Sequence, residues 1–221
     1  MSSIAERLDA IRATIPEEVR LLAISKYYPV EAVMEAYNAG QRDFGENKAQ
    51  DLVAKQQALP ADIRWHFTGH LQSNKIKYIA PFVYMIHSID SMQLLKEINK
   101  HGVKNGRTIP CLLQIHIAQE ETKFGFTPEE CLAMLATEEW KELKNIHIRG
   151  LMCMASNTDD TRQVADEFSA VRSLFDRIRE RWFANDPEFD TLSAGMSGDY
   201  LTAIDAGSTC VRIGSSIFEE E

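Results

Sequence analysis

Compact apolar runs alternate with amphipathic segments along the whole chain. Ile4, Leu8 and Ile11 are spaced as one face of a short helix, and Leu21-Leu22-Ala23-Ile24 reads as a buried strand. After Pro29 the spacing Val30, Val33, Met34, Tyr37 is helical. Gly40 suits its stop, and Arg42-Asp43-Phe44-Gly45 enters a second strand.

The alternation repeats. A helix over 47–58 precedes the strand Arg64-Trp65-His66-Phe67, and a helix over 73–80 precedes Val83-Tyr84-Met85-Ile86-His87. A helix over 91–101 leads to Cys111-Leu112-Leu113-Gln114-Ile115-His116-Ile117. Thr127-Pro128-Glu129-Glu130 is a capping box with proline at the first helical position, and its helix leads to the strand 146–152. The longest helix, 161–182, places Val164, Phe168, Val171, Phe175, Ile178 and Trp182 on one face. A strand at Thr191-Leu192-Ser193, a helix over 199–206 and the strand Cys210-Val211-Arg212-Ile213-Gly214 complete the series.

Strict βα alternation implies a parallel sheet with helices outside, and eight such units in about 200 residues meet the lower size limit of a (β/α)8 barrel, a TIM barrel. An open doubly wound sheet is the competitor. No G-x-G-x-x-G follows the first strand, so its dinucleotide-binding version lacks support. The expected organisation is a single domain over 1–221.

Composition narrows the function. With 221 residues, 44% of them apolar, and no run long enough to span a bilayer, a soluble unit with one core is expected. The charged N-terminus lacks the apolar stretch of a signal peptide. Cys111, Cys131, Cys153 and Cys210 form no C-x-x-C pair and mostly sit in apolar runs, which points to reduced, buried thiols and a cytoplasmic protein. A net charge of −9 disfavours general attraction to nucleic acid, so small molecules are the first partners to consider.

In a barrel of this kind chemistry sits at the C-terminal ends of the strands. The residues expected there are Ser25-Lys26, Glu46-Asn47, Gly69-His70, His87-Ser88 with Asp90, His116, Met152, Ser193 to Ser197, and Arg212 to Ser216. A lysine at an apolar barrel mouth is partly desolvated, which favours a neutral amine able to attack an aldehyde. Taken alone, Lys26 is better read as a lysine whose head reaches water past the strand end.

Gly195-Met196-Ser197-Gly198-Asp199 runs into a helix, where N–H groups and the Ser197 hydroxyl suit a phosphate; a plain N-cap at Ser197 or Asp199 is the equal alternative. Arg212-Ile213-Gly214-Ser215-Ser216 offers a glycine that lets backbone N–H groups approach an anion. These segments fall on strands 7 and 8, the common phosphate position of such barrels, and strand 8 closes against strand 1. An amine beside a phosphate cradle is what pyridoxal phosphate requires, and a phosphosugar aldolase requires the same parts. Arg212, if it faces the mouth, donates to a ring nitrogen and keeps it unprotonated; an ion pair with a carboxylate is the alternative. His66 and His70 have H-x-x-x-H spacing, but on a strand these positions do not converge on a metal, and no metal site is expected. His87 and His116 read as satisfied interior histidines, and Met152, Met154 and Met196 as core or an apolar wall.

Several ordered blocks carry a resemblance. They are Ala23-Ile24-Ser25-Lys26 with Pro29, Phe44-Gly45-Glu46-Asn47, Trp65-His66-Phe67-Thr68-Gly69 with Leu71-Gln72-Ser73-Asn74-Lys75, and His87-Ser88-Ile89-Asp90. Thr122-Lys123-Phe124-Gly125, Gly150-Leu151-Met152, Leu192-Ser193-Ala194-Gly195-Met196-Ser197 and Val211-Arg212-Ile213-Gly214 with Ile217-Phe218 follow. Over nearly its whole length the chain resembles the pyridoxal phosphate homeostasis proteins, themselves similar to the N-terminal barrel of alanine racemase without its second domain.

The resemblance implies that Lys26 forms a Schiff base with pyridoxal 5'-phosphate, that Asn47 lies beside the cofactor ring, and that Arg212 faces the pyridine nitrogen. It places Ser197, Gly214 and Ser215 around the phosphate. It further implies cofactor handling without robust catalysis and thus no catalytic residues, with apoenzymes that use the cofactor as recipients and a monomer or weak dimer as the assembly. An amino-acid racemase is the alternative function. Racemisation needs an acid/base on each face, Lys26 supplies one, and the opposite tyrosine of alanine racemase belongs to a second domain for which 221 residues leave no room.

Three positions depart from the family pattern. Tyr28 stands where the family often has a second lysine, Ile115-His116 follows Gln114 where asparagine is common, and Glu219-Glu220-Glu221 replaces a basic tail. Relay through a second lysine and a basic tail that aids cofactor release are therefore not expected.

Overall fold

A computed structural model describes residues 2–117 and 124–219. Thr122, Lys123, Glu220 and Glu221, singled out above, lie outside these residues. The strands are β1 (Arg20–Ile24), β2 (Asp43–Glu46), β3 (Arg64–Phe67), β4 (Met85–Ile89), β5 (Ile109–His116), β6 (Ile146–Met154), β7 (Thr191–Ser193) and β8 (Cys210–Ile213). They form a closed parallel barrel in sequence order, sealed by β1 against β8 with Leu21 opposite Val211 and Leu22 opposite Arg212.

Helices α1 (Ile4–Arg12), α2 (Val30–Asn38), α3 (Ala49–Ala58), α4 (Ile76–Ile79), α5 (Met92–Lys104), α6 (Pro128–Ala136), α7 (Thr161–Trp182), α8 (Tyr200–Asp205) and α9 (Ser215–Phe218) alternate with the strands. Ser91 caps α5 by accepting from Leu94 N–H, and the Thr127–Glu130 capping box on α6 makes both reciprocal hydrogen bonds. The barrel expected from the alternation is therefore the observed fold.

The strands are buried on both faces, which is why they read as continuous apolar runs. On β1, Leu21 and Ala23 join the large core between sheet and helices, while Leu22 and Ile24 pack with Cys210 in a separate interior cluster. Met85, Leu112 and Met152 form a second interior cluster. The four cysteines are free and buried, as their apolar surroundings suggested.

Among the boundaries that differ from the expectation, three change the picture. β4 begins and ends two residues later than expected, so His87 and Ser88 lie within the strand and not after it, and both are buried. The segment over 73–80 splits into a 3-10 turn, Ser73–Lys75, and α4. β6 extends to Met154, which puts Met152 inside the barrel and not past the strand end. Among the described residues, no helix is long and apolar enough to cross a membrane.

Candidate functional site

At the C-terminal end of the barrel opens a cavity of about 550 Å³. Lys26, Asn47, Ser197, Arg212, Gly214 and Ser215, the residues singled out by sequence, all line it. They arrive from the loops after β1, β2 and β7 and from β8 with its following turn.

Lys26 sits in a tight turn closed by the Tyr28 N–H donating to Ser25 O at 3.1 Å. Tyr27 takes φ +73° at the turn position that favours glycine. That strained backbone sets the direction in which Lys26 leaves β1. Among the described residues, no ion pair or hydrogen bond holds its side-chain nitrogen; the Tyr27 ring lies 5.7 Å from it.

The residue before it is clamped from behind. Ser25 Oγ donates to Glu46 Oε1 at 2.7 Å, and Lys55 Nζ donates to the same oxygen at 2.5 Å and to Ser25 O at 2.6 Å. Glu46, expected at the mouth, thus turns outward to α3, because a buried carboxylate needs a cation and Lys55 supplies it. Sequence reasoning missed Lys55. Its signal was a lysine in register with Ala49 and Leu52 on the buried face of α3.

Tyr28, one of the departures from the family pattern, forms part of the same wall. Its hydroxyl donates to Glu219 Oε1 at 2.6 Å and its ring stacks on Phe218 at 4.7 Å, so it straps the β1 loop to α9. Partial burial and then the Glu219 carboxylate push its phenol up to about 12.

Arg212 is buried and, among the described residues, makes no ion pair with a carboxylate; neutral oxygens stand in place of the ion-pair alternative. Nη1 donates to Ser193 O at 2.7 Å and to Ser193 Oγ at 2.8 Å, and Nη2 donates to Cys153 O at 2.8 Å. A guanidinium has five N–H donors. Three are thereby used, and the Nε–H and one Nη2–H carry no protein partner among the described residues. Burial lowers the arginine's proton affinity, and its contacts are to neutral oxygens.

The Gly214 N–H donates to Ser197 Oγ at 3.3 Å, so backbone donor and hydroxyl share one corner of the cavity. Ser197 is not a helix cap. Asp199 occupies the cap position of α8, but its carboxylate accepts from Met196 N–H at 2.6 Å instead of from the helix.

On the opposite rim, His70 stacks on Phe124 at 3.9 Å and lies 3.3 Å from Asp90, while Gln114 Nε2 donates to Phe124 O at 2.9 Å. His66 lies inside the barrel and His70 outside it at the rim, so the H-x-x-x-H pair does not converge.

The lining fits pyridoxal phosphate on three counts. Arg212 keeps unpaired donors, Ser197 and Gly214 offer an anion corner, and Asn47 Oδ1 is a buried oxygen without a partner among the described residues. A buried polar atom without a protein partner is what a polar ligand atom satisfies.

Comparison with known proteins decides the family. The model described as alanine racemase, N-terminal domain, matches residues 1–221. The chain belongs to that family. Within it, a pyridoxal phosphate homeostasis protein of Vibrio alginolyticus is 38% identical over 233 residues, covering 99% of this chain and 97% of its own. By this likeness the chain is also a member of the pyridoxal phosphate homeostasis proteins.

The structure of PipY from Synechococcus elongatus with PLP bound superposes with a TM-score of 0.88 at 35% identity, over 98% of this chain and all of PipY. An alanine racemase of Clostridium difficile 630 shares the fold at a TM-score of 0.79 and 13% identity; this chain spans 57% of it.

Proposed function

We propose that the protein binds pyridoxal 5'-phosphate through a Schiff base on Lys26 and serves intracellular homeostasis of that cofactor without robust turnover. The observation that carries this reading is the convergence of Lys26, Arg212 and the Ser197–Gly214 corner on one cavity. When bound, pyridoxal phosphate supplies an aldehyde that condenses with an amine and a ring that withdraws electrons.

In this reading Lys26 contributes the amine, held in place by the clamped Ser25 and the strained Tyr27. Ser197, the Gly214 N–H and Ser215 hold the phosphate, since a glycine leaves the backbone open to an anion. Arg212 directs its free N–H donors at the pyridine nitrogen. A permanently charged donor offers no acceptor for a pyridinium proton, so a ring bound there would stay unprotonated and withdraw electrons weakly. Asn47 borders the ring. This set holds and orients the cofactor while moderating the chemistry that a racemase exploits, and the relatives' names point the same way.

Apoenzymes that use the cofactor are the recipients we assign, in the cytoplasm, where the four buried thiols remain reduced; a monomer or weak dimer is the working assembly. The test is reconstitution with pyridoxal phosphate, the visible absorption band, and peptide mapping after borohydride reduction. Labelling of the Lys26 peptide is expected. Covalent trapping in the same cavity by Lys26→Ala protein overturns the reading.

A further inference from the structure

Five side chains inside the barrel form one continuous line from its N-terminal face to the cavity. His66 Nε2 lies 3.0 Å from Asp43 Oδ1, His66 Nδ1 lies 2.9 Å from His87 Nε2, and His87 Nδ1 lies 3.0 Å from Ser193 Oγ. Arg212 Nη1 completes the line at 2.8 Å from the same hydroxyl. His66, His87 and Ser193 are fully buried, and Asp43 and Arg212 nearly so. Each of the five comes from a different strand, so only the closed barrel assembles them.

The protons in this line follow from its two ends. Asp43 is held as a carboxylate by Arg64, whose Nε and Nη2 donate to its two oxygens at 2.8 and 2.5 Å, and a carboxylate only accepts. His66 therefore carries its proton on Nε2. Burial disfavours the imidazolium of both histidines, so each has one N–H. His66 Nδ1 then accepts from His87 Nε2–H, and His87 Nδ1 accepts from the Ser193 hydroxyl. Arg212, which only donates, fills a lone pair of Ser193 Oγ. All donors point from Arg212 towards Asp43, and reversing any one of them leaves two donors or two acceptors face to face.

We infer that His87 and Ser193, anchored through His66 to Asp43, are positioning residues that lock the Arg212 guanidinium in the orientation it presents to the cavity. The Ser193 and Cys153 carbonyls fix two corners of the guanidinium, and the Ser193 hydroxyl is the contact that ties it to the interior line. Without that hydroxyl, Nη1 keeps only the carbonyl and His87 Nδ1 loses its donor, so Arg212 gains freedom to turn away from a ring nitrogen. A chain that is satisfied in one proton arrangement specifies one geometry, which a pair of isolated hydrogen bonds does not.

This inference rests on reading the cavity as the cofactor site, and its test separates the two. In protein reconstituted with pyridoxal phosphate, Ser193→Ala is expected to keep the label on Lys26 after borohydride reduction. It should nevertheless shift the visible band or its pH titration and lose cofactor about tenfold faster, as removal of one buried hydrogen bond to a charged group predicts. Ser193→Thr, which keeps the hydroxyl, should restore wild-type behaviour. An Ala variant with the wild-type band, titration and release rate overturns the positioning role.

A wild type that is not labelled at Lys26 defeats the cofactor reading instead. The line itself is then decided in ligand-free protein by long-range ¹H–¹⁵N spectra of the histidine rings. Both His66 and His87 should show the Nε2–H tautomer at neutral pH, and an Nδ1–H tautomer or an imidazolium at either overturns the inference.

Discussion

Lys55 Nζ lies 2.5 Å from Glu46 Oε1 in a place where neither side chain meets solvent appreciably. The pair joins α3 to the end of β2, and through Ser25 it stiffens the segment that carries Lys26. Glu46 Oε2 has no partner among the described residues, so the carboxylate depends on one oxygen for its compensation. Lys55→Met strands that carboxylate and should cost about 3–5 kcal/mol of stability in urea unfolding. The double variant Glu46→Gln/Lys55→Met removes both charges and should recover most of the loss. Equal destabilisation of the single and double variants would show that the charge is not the cause.

Acid should weaken the fold through the interior histidines. His66 and His87 both have proton affinities lowered by burial, so below about pH 6.5 the unfolded chain takes up protons that the native barrel does not. Their contribution is full above the unfolded value of about 6.5 and is lost as pH falls through the lower folded values. The urea midpoint should drop between pH 7 and pH 5. His87→Phe should reduce that drop, even though it lowers stability at pH 7 by breaking the interior line.

Asp43 acts in a lower window. Desolvation raises its proton affinity, but Arg64 and His66 outweigh this and hold the carboxyl far below the usual range. A depressed folded value gives stability that is present above the unfolded value of about 3.9 and disappears as pH falls towards the folded one. Asp43→Ala should therefore flatten the stability profile below pH 4, measured by thermal unfolding in a pH series.

The close approach of Gly69 to Asn47 predicts a binding defect. A Cβ on Gly69 would lie 2.2 Å from Asn47 O, so Gly69→Ala must displace the loop that presents Asn47. We expect pyridoxal phosphate affinity to fall about tenfold, equivalent to about 1.4 kcal/mol, in a spectroscopic titration. Unchanged affinity would remove Asn47 from the set of ring contacts.

Thiol chemistry offers a check on the packing. Burial pushes the Cys131 and Cys153 thiols up to about 12 and Cys210 to about 11, and raises Cys111 as well. Native protein should be inert to a thiol reagent, and all four cysteines should react in denaturant.

The barrel was legible because strands buried on both faces write themselves as compact apolar runs, and helices with one dry face write themselves at helical spacing. Lys26 and the phosphate-suited segments were legible as polar residues at run ends. The same logic failed at His87 and Ser88. A polar residue inside a strand looks like the end of that strand; His87 is the satisfied interior histidine expected from the sequence, but its partners on β3 and β7 are visible only in the closed barrel. Lys55 stayed hidden for a related reason, since its partner arrives from another element. The short helix α9 lies within the anion-suited segment after β8, where four residues are too few to show a period.

β1 pairs with β8, so the first and last strands of the barrel are neighbours. A ribosome releases Lys26 long before Arg212 and Gly214. Until β8 follows, the chain would hold the amine of the proposed site without the residues proposed to hold the ring nitrogen and complete the phosphate corner. Ligand capture therefore reports completion: pyridoxal phosphate adds its binding energy only to molecules whose ring has closed, and a chain stalled before β8 gains nothing from it.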